Sequence, residues 1–304
     1  MIASHLVIAP DVERALAAHR PVVALETTVI THGLPQPQGL KVSRDMEAAV
    51  AAAGAVPATI GMIDGNVRVG LTCDELDRLA STPEVPKVNL SNFAATLVVR
   101  GTGSTTVAAT MLASHHAGIA VFATGGIGGV HRGASDTDDV SSDLTALARF
   151  PVAVVCSGAK SILDLPRTVE RLETLGVPVL GYRCDDFPSF WRRASGLRLD
   201  QRFDDMAQLA EAIRAHHALE TGTAVLVANP VPEAHELAQA VFDSALNGAL
   251  ESVRSQGIRG RAVTPYVLAY MQKVTGDPVI DANIALLVDN ARVAGELAVA
   301  LSHG

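Results

Sequence analysis

The stretch that decides the fold reads Ile119-Ala-Val-Phe-Ala-Thr-Gly-Gly-Ile-Gly-Gly129. Its five leading apolar residues do not alternate with polar ones, which is typical of a strand buried on both faces. The glycines that follow favour a loop whose backbone approaches a ligand closely. Val152–Cys156 repeats the apolar pattern and runs into Ser157-Gly-Ala-Lys-Ser161. Two such strands, each preceded by a helical segment, indicate a parallel sheet.

The same alternation extends over most of the chain. Helices are predicted over three segments that each end before a glycine suited to a helix C-terminus: Val42–Ala53, Thr105–Ala117 and Val169–Leu175. Further buried strands are predicted at Val22–Leu25, Pro178–Gly181 and Thr223–Ala228. The chain from Glu233 onward is predicted to be mostly helical.

One turn breaks the parallel pattern. Asp64-Gly65-Asn66 separates the apolar runs Ala58–Ile63 and Val67–Leu71, which predicts an antiparallel hairpin. No linker or composition break divides the chain. We therefore predict an α/β fold, a three-layer α/β/α sandwich with a mixed, largely parallel sheet, in which residues 1–304 form a single catalytic domain.

Composition and charge exclude several classes of partner. The 304 residues are 48% hydrophobic and carry a net charge of −8, and no basic run is longer than Arg192-Arg193. A phosphate-backbone binder needs a basic stripe, so we expect no nucleic-acid partner. Residues 101–130 carry no formal charge, but their seven glycines and the His115-His116 pair do not suit a bilayer span, and we expect no membrane partner.

The cysteines and the N-terminus bear on location. Cys73, Cys156 and Cys184 are far apart and show no C-x-x-C spacing, which disfavours a disulfide framework or a structural zinc site. Met1–His5 lacks a basic region and Asp11 follows soon after, unlike a secretory signal. We expect a cytoplasmic protein.

The first candidate loop begins at Glu26, directly after the predicted strand Val22–Leu25. In sheets of this kind, ligands bind beyond the carboxyl ends of the strands. Partial burial there raises the pKa of a carboxyl group and suits it to general acid–base work. A role as a helix cap or as an ion-pair partner remains the alternative.

The second candidate loop is the glycine-rich run Thr124–Gly133, which leads into four aspartates at positions 136, 138, 139 and 143. The glycines do not fit the dinucleotide pattern G-x-G-x-x-G, because His131 occupies its last position. The aspartates are suited to a hard divalent cation. Equally, Asp139 and Asp143 would favour the start of the helix predicted near 141–149.

The third candidate loop carries Lys160. The chain uses 20 arginines but only four lysines, at positions 41, 87, 160 and 273. A lysine among small residues, where arginine is the usual cation, indicates that a removable proton is needed. A neutral amine attacks carbonyl carbon and gives Schiff-base chemistry. A solvated lysine without a catalytic role is the alternative.

A fourth element, Gly101–Thr106, leads into a predicted helix. The N–H groups at a helix start bind phosphate well, although Ser104 and Thr105 are equally explained as N-caps.

Several long motifs match one family. They are Ala24–Pro35, Gly54–Ile60, Val121–Gly133, Val154–Asp164 and Val227–Pro230. Together they resemble the pseudouridine-5′-phosphate glycosidases, whose relatives include proteins of indigoidine-biosynthesis clusters. The resemblance extends from about Pro21 to Ala300.

The resemblance implies an enzyme that reversibly cleaves the carbon–carbon bond between uracil and ribose 5-phosphate in pseudouridine 5′-phosphate. It implies an α/β/α sandwich, a homotrimer and one Mn²⁺ per subunit. By the same resemblance, Lys160 is the nucleophile, Glu26 the proton donor and Asp139 the metal ligand. The substrate-binding positions implied are Lys87, Thr106, Val107, His131, Ser141, Ser142, Asp143 and Asn283.

The chain departs from the family at one loop. After Lys87 it reads Val-Asn89-Leu-Ser91-Asn92, where the family usually has a serine followed by Arg-Asp. This departure keeps two alternatives open beside the leading hypothesis. One is a Schiff-base lyase for a different C-nucleoside phosphate. The other is a non-catalytic sugar-phosphate-binding protein of the same fold.

Overall fold

The computed structural model describes residues 2–258 and 263–303. Within these ranges, eleven strands form one mixed sheet. They are β1 (Leu6–Ile8), β2 (Val22–Glu26), β3 (Val56–Ile63), β4 (Asn66–Val69), β5 (Lys87–Val88), β6 (Gly103–Thr105), β7 (Val121–Ala123), β8 (Ala153–Cys156), β9 (Val179–Tyr182), β10 (Gln201–Phe203) and β11 (Val225–Ala228).

Twelve α-helices occur in the same described ranges. They are α1 (Pro10–Ala17), α2 (Gln38–Ala52), α3 (Cys73–Ser81), α4 (Phe93–Val98), α5 (Val107–Ala117), α6 (Ala134–Thr137), α7 (Ser142–Leu147), α8 (Leu165–Thr174), α9 (Met206–Ala218), α10 (Gln239–Ser255), α11 (Val263–Thr275) and α12 (Asp277–Ser302). Short 3₁₀ turns lie at Ile2–Ser4 and Glu233–His235, and a π turn at Val29–Gly33. None of these helices is long and apolar enough to cross a bilayer.

The sheet is largely parallel, with the strand order β1-β4-β3-β2-β7-β8-β11-β9-β10. The hairpin between β3 and β4 is antiparallel, as its sequence predicts. Its turn residues Asp64 and Gly65 have φ of 51° and 74°, the positive values that a tight hairpin turn requires. β6 adds a second antiparallel pairing with β3. The prediction of a mixed, largely parallel sheet is confirmed.

Both faces of the sheet are covered. Every residue of β2, β7, β8 and β11 is buried, and successive side chains of a strand point to opposite faces. Helix α12 packs against α2, α9 and the central strands, whereas α5 packs against α7 and also contacts β2 and β7. These layers confirm the three-layer α/β/α sandwich.

Some boundaries differ from the sequence prediction. The helix predicted from Thr105 begins at Val107, because Gly103–Thr105 pairs as β6 with β3 and β5. Strands β1, β5 and β10 were not predicted from the sequence. Each has only two or three residues, too few for a period-two pattern to be visible.

The carboxyl ends of the central parallel strands lie side by side. The residues that follow β7, β8 and β11 are Thr124, Ser157 and Asn229, and all three contact Asn290 of α12. The Asn290 amide donates to Thr124 O (2.8 Å) and Ser157 Oγ (3.1 Å), and its Oδ1 accepts from Asn229 Nδ2 (2.9 Å). This buried network joins three loops at one edge of the sheet.

Gly158 lies at this edge, where the packing leaves no space for a side chain. Its φ is +73°, and an added Cβ would lie 1.9 Å from Pro188 O. Gly118 has a similar φ of +78°, but an added Cβ would meet nothing within 4 Å. We therefore expect Gly158→Ala to lower the free energy of unfolding by at least about 3 kcal/mol. Gly118→Ala should cost roughly 1–2 kcal/mol, the strain of the left-handed backbone alone.

Urea denaturation of the two variants and the parent provides the measurement. Equal losses for both glycines would contradict the assigned clash at Gly158.

Candidate active site

A cavity opens at the carboxyl edge of the sheet. It brings together four of the residues singled out from the sequence: Glu26, Lys87, Lys160 and Asn283. The other lining residues come from the loops after β2, β7, β8 and β9 and from helices α11 and α12. They are Thr28, Val29, His32, Gly33, Thr124, Gly125, Gly126, Ser161, Ile162, Phe190, Trp191, Leu268 and Leu287.

Glu26 ends β2 inside this cavity. It is only 7% exposed, and its Oε1 accepts a short hydrogen bond from Thr124 Oγ1. Burial raises the pKa of the Glu26 carboxyl, and the nearby Lys160 charge and the Thr124 hydrogen bond offset part of this rise. A carboxyl group in these surroundings keeps its proton to higher pH than usual, which suits a proton donor.

The loop of Lys160 is held against the glycine-rich loop. Ile127 N donates to Gly158 O (3.0 Å) and Lys160 N donates to Ile127 O (3.1 Å), so the two loops pair like short parallel strands. Ser161 Oγ donates to Ser189 O at 2.6 Å on the other side. Lys160 is half-buried between these contacts. The amine is therefore held on a fixed backbone beside Glu26.

The loop after Lys87 is closed by hydrogen bonds of amide side chains. Asn92 Nδ2 donates to Lys87 O (2.9 Å), and Asn92 Oδ1 accepts from Asn89 N (2.8 Å). Asn89 Oδ1 in turn accepts from Ser91 N and Oγ. These hydrogen bonds fix the Lys87 backbone, and the Lys87 side chain lines the cavity.

Asp143 binds backbone groups of two neighbouring elements. It is 5% exposed, and its carboxylate accepts from Gly128 N (2.8 Å) and Ala108 N (3.1 Å). The carboxylate therefore ties the glycine-rich loop to the first turn of α5. Its negative charge also contributes to the raised pKa of Glu26.

The remaining predicted substrate positions surround the starts of α5 and α7. Thr106 Oγ1 accepts from Ala109 N (3.4 Å) and Ser141 Oγ accepts from Asp143 N (3.2 Å), so both act as N-caps. Val107 and Ser142 are the first residues of these helices. The structure places this group beside the glycine-rich loop, outside the set of residues that line the cavity.

His131 and Asp139 lie next to each other. His131 N donates to Asp139 O (3.0 Å), and His131 Nδ1 is 3.9 Å from Asp139 Oδ2. Burial lowers the pKa of the His131 imidazole, the Asp139 carboxylate opposes this effect, and Lys160 adds to it. Among residues 2–258 and 263–303, no group of three or more His, Cys, Asp or Glu side chains is arranged to hold a metal ion.

Sequence reasoning named Thr124 only as the start of the second candidate loop and gave no individual role to Thr124, His32 or Trp191. His32 Nδ1 is 2.6 Å from Thr31 Oγ1, and burial together with the Lys87 charge lowers the pKa of His32 to about 4. The histidine is therefore a neutral cavity residue at physiological pH. A polar residue directly after a buried strand is the signal that could have indicated Thr124. Trp191 carries no comparable local signal.

A buried carboxyl group and a half-buried lysine at the carboxyl edge of an α/β/α sheet define an enzyme site for acid–base and amine chemistry. Comparison with known proteins gives the family. Residues 11–300 match the family described as "Indigoidine synthase A like protein", and the chain belongs to it.

The chain is similar to curated relatives over nearly its whole length. The pseudouridine-5′-phosphate glycosidase of Methylobacterium nodulans is 51% identical, over 96% of this chain and 87% of that protein. The protein of the same name from Paracoccus denitrificans is 49% identical over 98% of each chain. The family resemblance inferred from the motifs is confirmed.

Two solved structures are similar as well. The prealnumycin C-glycosynthase AlnA, in complex with ribulose 5-phosphate, has a TM-score of 0.91 and 41% identity over 98% of this chain and 97% of its own. An indigoidine synthase A-like protein from Thermotoga maritima has a TM-score of 0.88 and 33% identity over 98% of this chain and 96% of its own.

The raised pKa of Glu26 makes stability depend on pH. The folded state binds the Glu26 proton more tightly than the unfolded state, so stability is lost as pH rises from the unfolded value through the raised folded value. We expect Glu26→Gln to increase the free energy of unfolding at pH 7 more than at pH 4, because the amide never ionises.

Urea denaturation at both pH values measures this difference. Asp64→Asn is the matched control, and its change in the free energy of unfolding at pH 7 should have the opposite sign. The reason is that hydrogen bonds from Arg78 lower the pKa of the exposed Asp64. A Glu26→Gln variant less stable than the parent at pH 7 would refute the assignment.

Proposed function

We propose that the protein is a pseudouridine-5′-phosphate glycosidase, a carbon–carbon lyase that reversibly releases uracil and ribose 5-phosphate. The observation that carries the proposal is the single cavity that holds Glu26, Lys160, Lys87 and Asn283. Relatives of that name share about half of their residues with this chain.

The bond to be broken explains why a lysine is needed. A C-glycosidic bond has no leaving-group oxygen, so protonation of the leaving group by a carboxyl pair, as in ordinary glycosidases, does not break it. In the proposed reaction Lys160 Nζ bonds to C1′ as the C1′–O4′ bond breaks and the sugar ring opens, and the proton that Nζ gives up passes to O4′. When the bond between C1′ and the base breaks, the nitrogen lone pair forms a double bond to C1′. The product on the sugar side is an iminium.

Proton transfer completes the cleavage. The C5 atom of uracil gains a proton, for which Glu26 is the proposed donor. The C1′–C5 bond then breaks, and its electron pair restores the C5=C6 double bond of uracil. Water hydrolyses the iminium and releases ribose 5-phosphate from Lys160. The burial of Glu26, which raises the pKa of its carboxyl group, supports this role.

Substrate binding is proposed to use residues of the cavity and of the helix starts beside it. The phosphate is a remote anchor that supplies binding energy away from the reacting bond. With a net charge of −8, positive potential has to be local. The sugar phosphate is proposed to be held by Lys87, by His131 and by residues around the adjoining helix starts. The residues at the helix starts are Thr106, Val107, Ser141, Ser142 and Asp143. Asn283 is proposed to contact uracil.

Asp139 is the proposed ligand of one Mn²⁺ per subunit. A carboxylate oxygen is a donor that Mn²⁺ accepts readily. Because the described residues hold no larger ligand group, water would supply most of the coordination. Such an ion would keep water and polar groups of the site in position.

We further propose that the protein works in the cytoplasm as a homotrimer. The unpaired cysteines Cys73, Cys156 and Cys184 fit a reducing compartment. The trimer rests on the family resemblance, and sedimentation equilibrium of the purified protein tests it.

Two observations favour a second candidate function, C–C bond cleavage or formation with a base other than uracil. The loop Asn89–Asn92 differs from the usual family sequence, and a similar solved structure is that of a C-glycosynthase. Turnover of other C-nucleotides without turnover of pseudouridine 5′-phosphate would favour it.

Lys160 provides the decisive test. Lys160→Ala should reduce release of uracil by at least about 10³-fold, because the variant has no amine to form the iminium. Mass spectrometry of the products measures this loss, and borohydride should trap a ribose 5-phosphate adduct on the parent only. Lys41→Ala is the matched control, since Lys41 is exposed and paired with Asp45. Retained cleavage in a folded Lys160→Ala variant would disprove the proposal.

Metal removal provides an independent test. A chelator should stop product formation and added Mn²⁺ should restore it. Asp139→Asn should raise the Mn²⁺ concentration that restores activity by about tenfold or more. Asp136→Asn, at an exposed aspartate in the same acidic segment, should leave that concentration unchanged. Full activity in the presence of the chelator would contradict the metal assignment.

A further inference from the structure

Two residues that line the cavity each carry a buried polar atom with no hydrogen-bond partner among the residues that the structure describes. One is the Trp191 indole nitrogen Nε1 and the other is Asn283 Oδ1. Trp191 is 1% exposed and Asn283 is 5% exposed. Leaving a buried donor or acceptor unpaired costs about 1–3 kcal/mol, so such atoms are normally satisfied. A ligand in the cavity is the natural partner for both.

Trp191 sits on a loop that is fixed to the nucleophile loop. Phe190 N donates to Ser157 O (3.0 Å), and Ser189 O accepts from Ser161 Oγ (2.6 Å). Phe190 has a φ of +64°, a strained value for a residue with a side chain. The rings of Phe190 and Trp191 meet edge to face with centroids 5.1 Å apart. The loop thus holds both rings at the cavity in one defined arrangement.

Asn283 approaches from the helix α12. Leu287 lies one helical turn further along and therefore on the same face as Asn283. A Cβ added to Gly125 would lie 3.1 Å from Leu287 Cδ2 and 3.3 Å from Phe190 Cε2. The aromatic loop and the Asn283 face of α12 therefore converge over Gly125. Between them they present apolar surface together with one donor and one acceptor.

These features match a planar cyclic amide. Such a ring has two apolar π faces, and its edge carries a carbonyl acceptor beside an N–H donor. We infer that the Trp191 indole N–H donates to a carbonyl oxygen of the base and that it is a specificity-determining residue for the base. Asn283 Oδ1 accepts from the adjacent ring N–H. The inference rests on the proposed function, because uracil is the cyclic amide of that reaction.

The sugar phosphate is a poorer partner for the indole. An indole N–H carries no charge, whereas anionic oxygens are bound most strongly by charged donors. Lys87 provides such a donor in the same cavity. The reverse reaction distinguishes binding of the base from binding of the sugar phosphate. In that direction uracil and ribose 5-phosphate are independent substrates, each with its own KM value.

The kinetic test uses Trp191→Phe, which removes the N–H and keeps an aromatic ring. We expect the KM for uracil to rise about tenfold, the equivalent of one hydrogen bond, while the KM for ribose 5-phosphate changes less than about twofold. Phe190→Leu is the comparison variant, since it reduces aromatic surface and leaves the indole in place. An unchanged KM for uracil in Trp191→Phe, or an equal rise in both KM values, would overturn the inference.

A second measurement needs no variant. Trp191 is the only tryptophan of the chain, so the ¹⁵N-labelled protein gives a single indole N–H resonance. Uracil added to protein saturated with ribose 5-phosphate should move this resonance downfield, whereas ribose 5-phosphate alone should leave it nearly in place. A resonance that does not respond to uracil would overturn the inference.

The two proposals fail in different ways. A parent protein that forms no pseudouridine 5′-phosphate from its products would refute the proposed function. A parent that forms it, with an indole that does not respond and a normal KM for uracil in Trp191→Phe, would refute only the role of Trp191.

Discussion

The buried amide of Asn290 is the constraint on which the arrangement of the site depends. It reaches from α12 across the carboxyl ends of β7, β8 and β11 and binds a group at each. Thr124, held in this way, donates to Glu26. Ser157, held by the same amide, starts the loop that carries Lys160. One side chain therefore helps to set the relative position of Glu26 and the Lys160 loop.

This arrangement makes a chemically useful carboxyl group at the expense of stability. Enclosing Glu26 between buried strands disfavours its ionised form, and the charge of Lys160 restores only part of the balance. The rest of the molecule tolerates this, because the central strands and the covering helices bury a continuous apolar core. Glu26 is therefore a desolvated acid held at the cavity by a rigid scaffold.

Much of the architecture was predictable because it rests on local pattern. Val22–Leu25 and Val152–Cys156 are apolar without alternation, and they are indeed buried on both faces. Asp64-Gly65 specifies its hairpin through backbone conformation alone. The helix start at Thr105 was wrong because pairing of Gly103–Thr105 with a distant strand outweighs helix propensity. Two-residue strands such as β5 exist only through such pairing.

The sequence by itself determined the buried central strands, the β3–β4 hairpin, the loops that carry Glu26 and Lys160, and the family. These properties follow from periodicity, turn chemistry and motifs within short stretches of chain. Only the tertiary structure decided that Lys87 shares their cavity and that Asp143 binds backbone groups and does not line this cavity. It also decided that the indole N–H of Trp191 has no hydrogen-bond partner among the residues that the structure describes. The physical reason is that burial and hydrogen bonding depend on residues as far apart as Thr124 and Asn290, which no local pattern brings together.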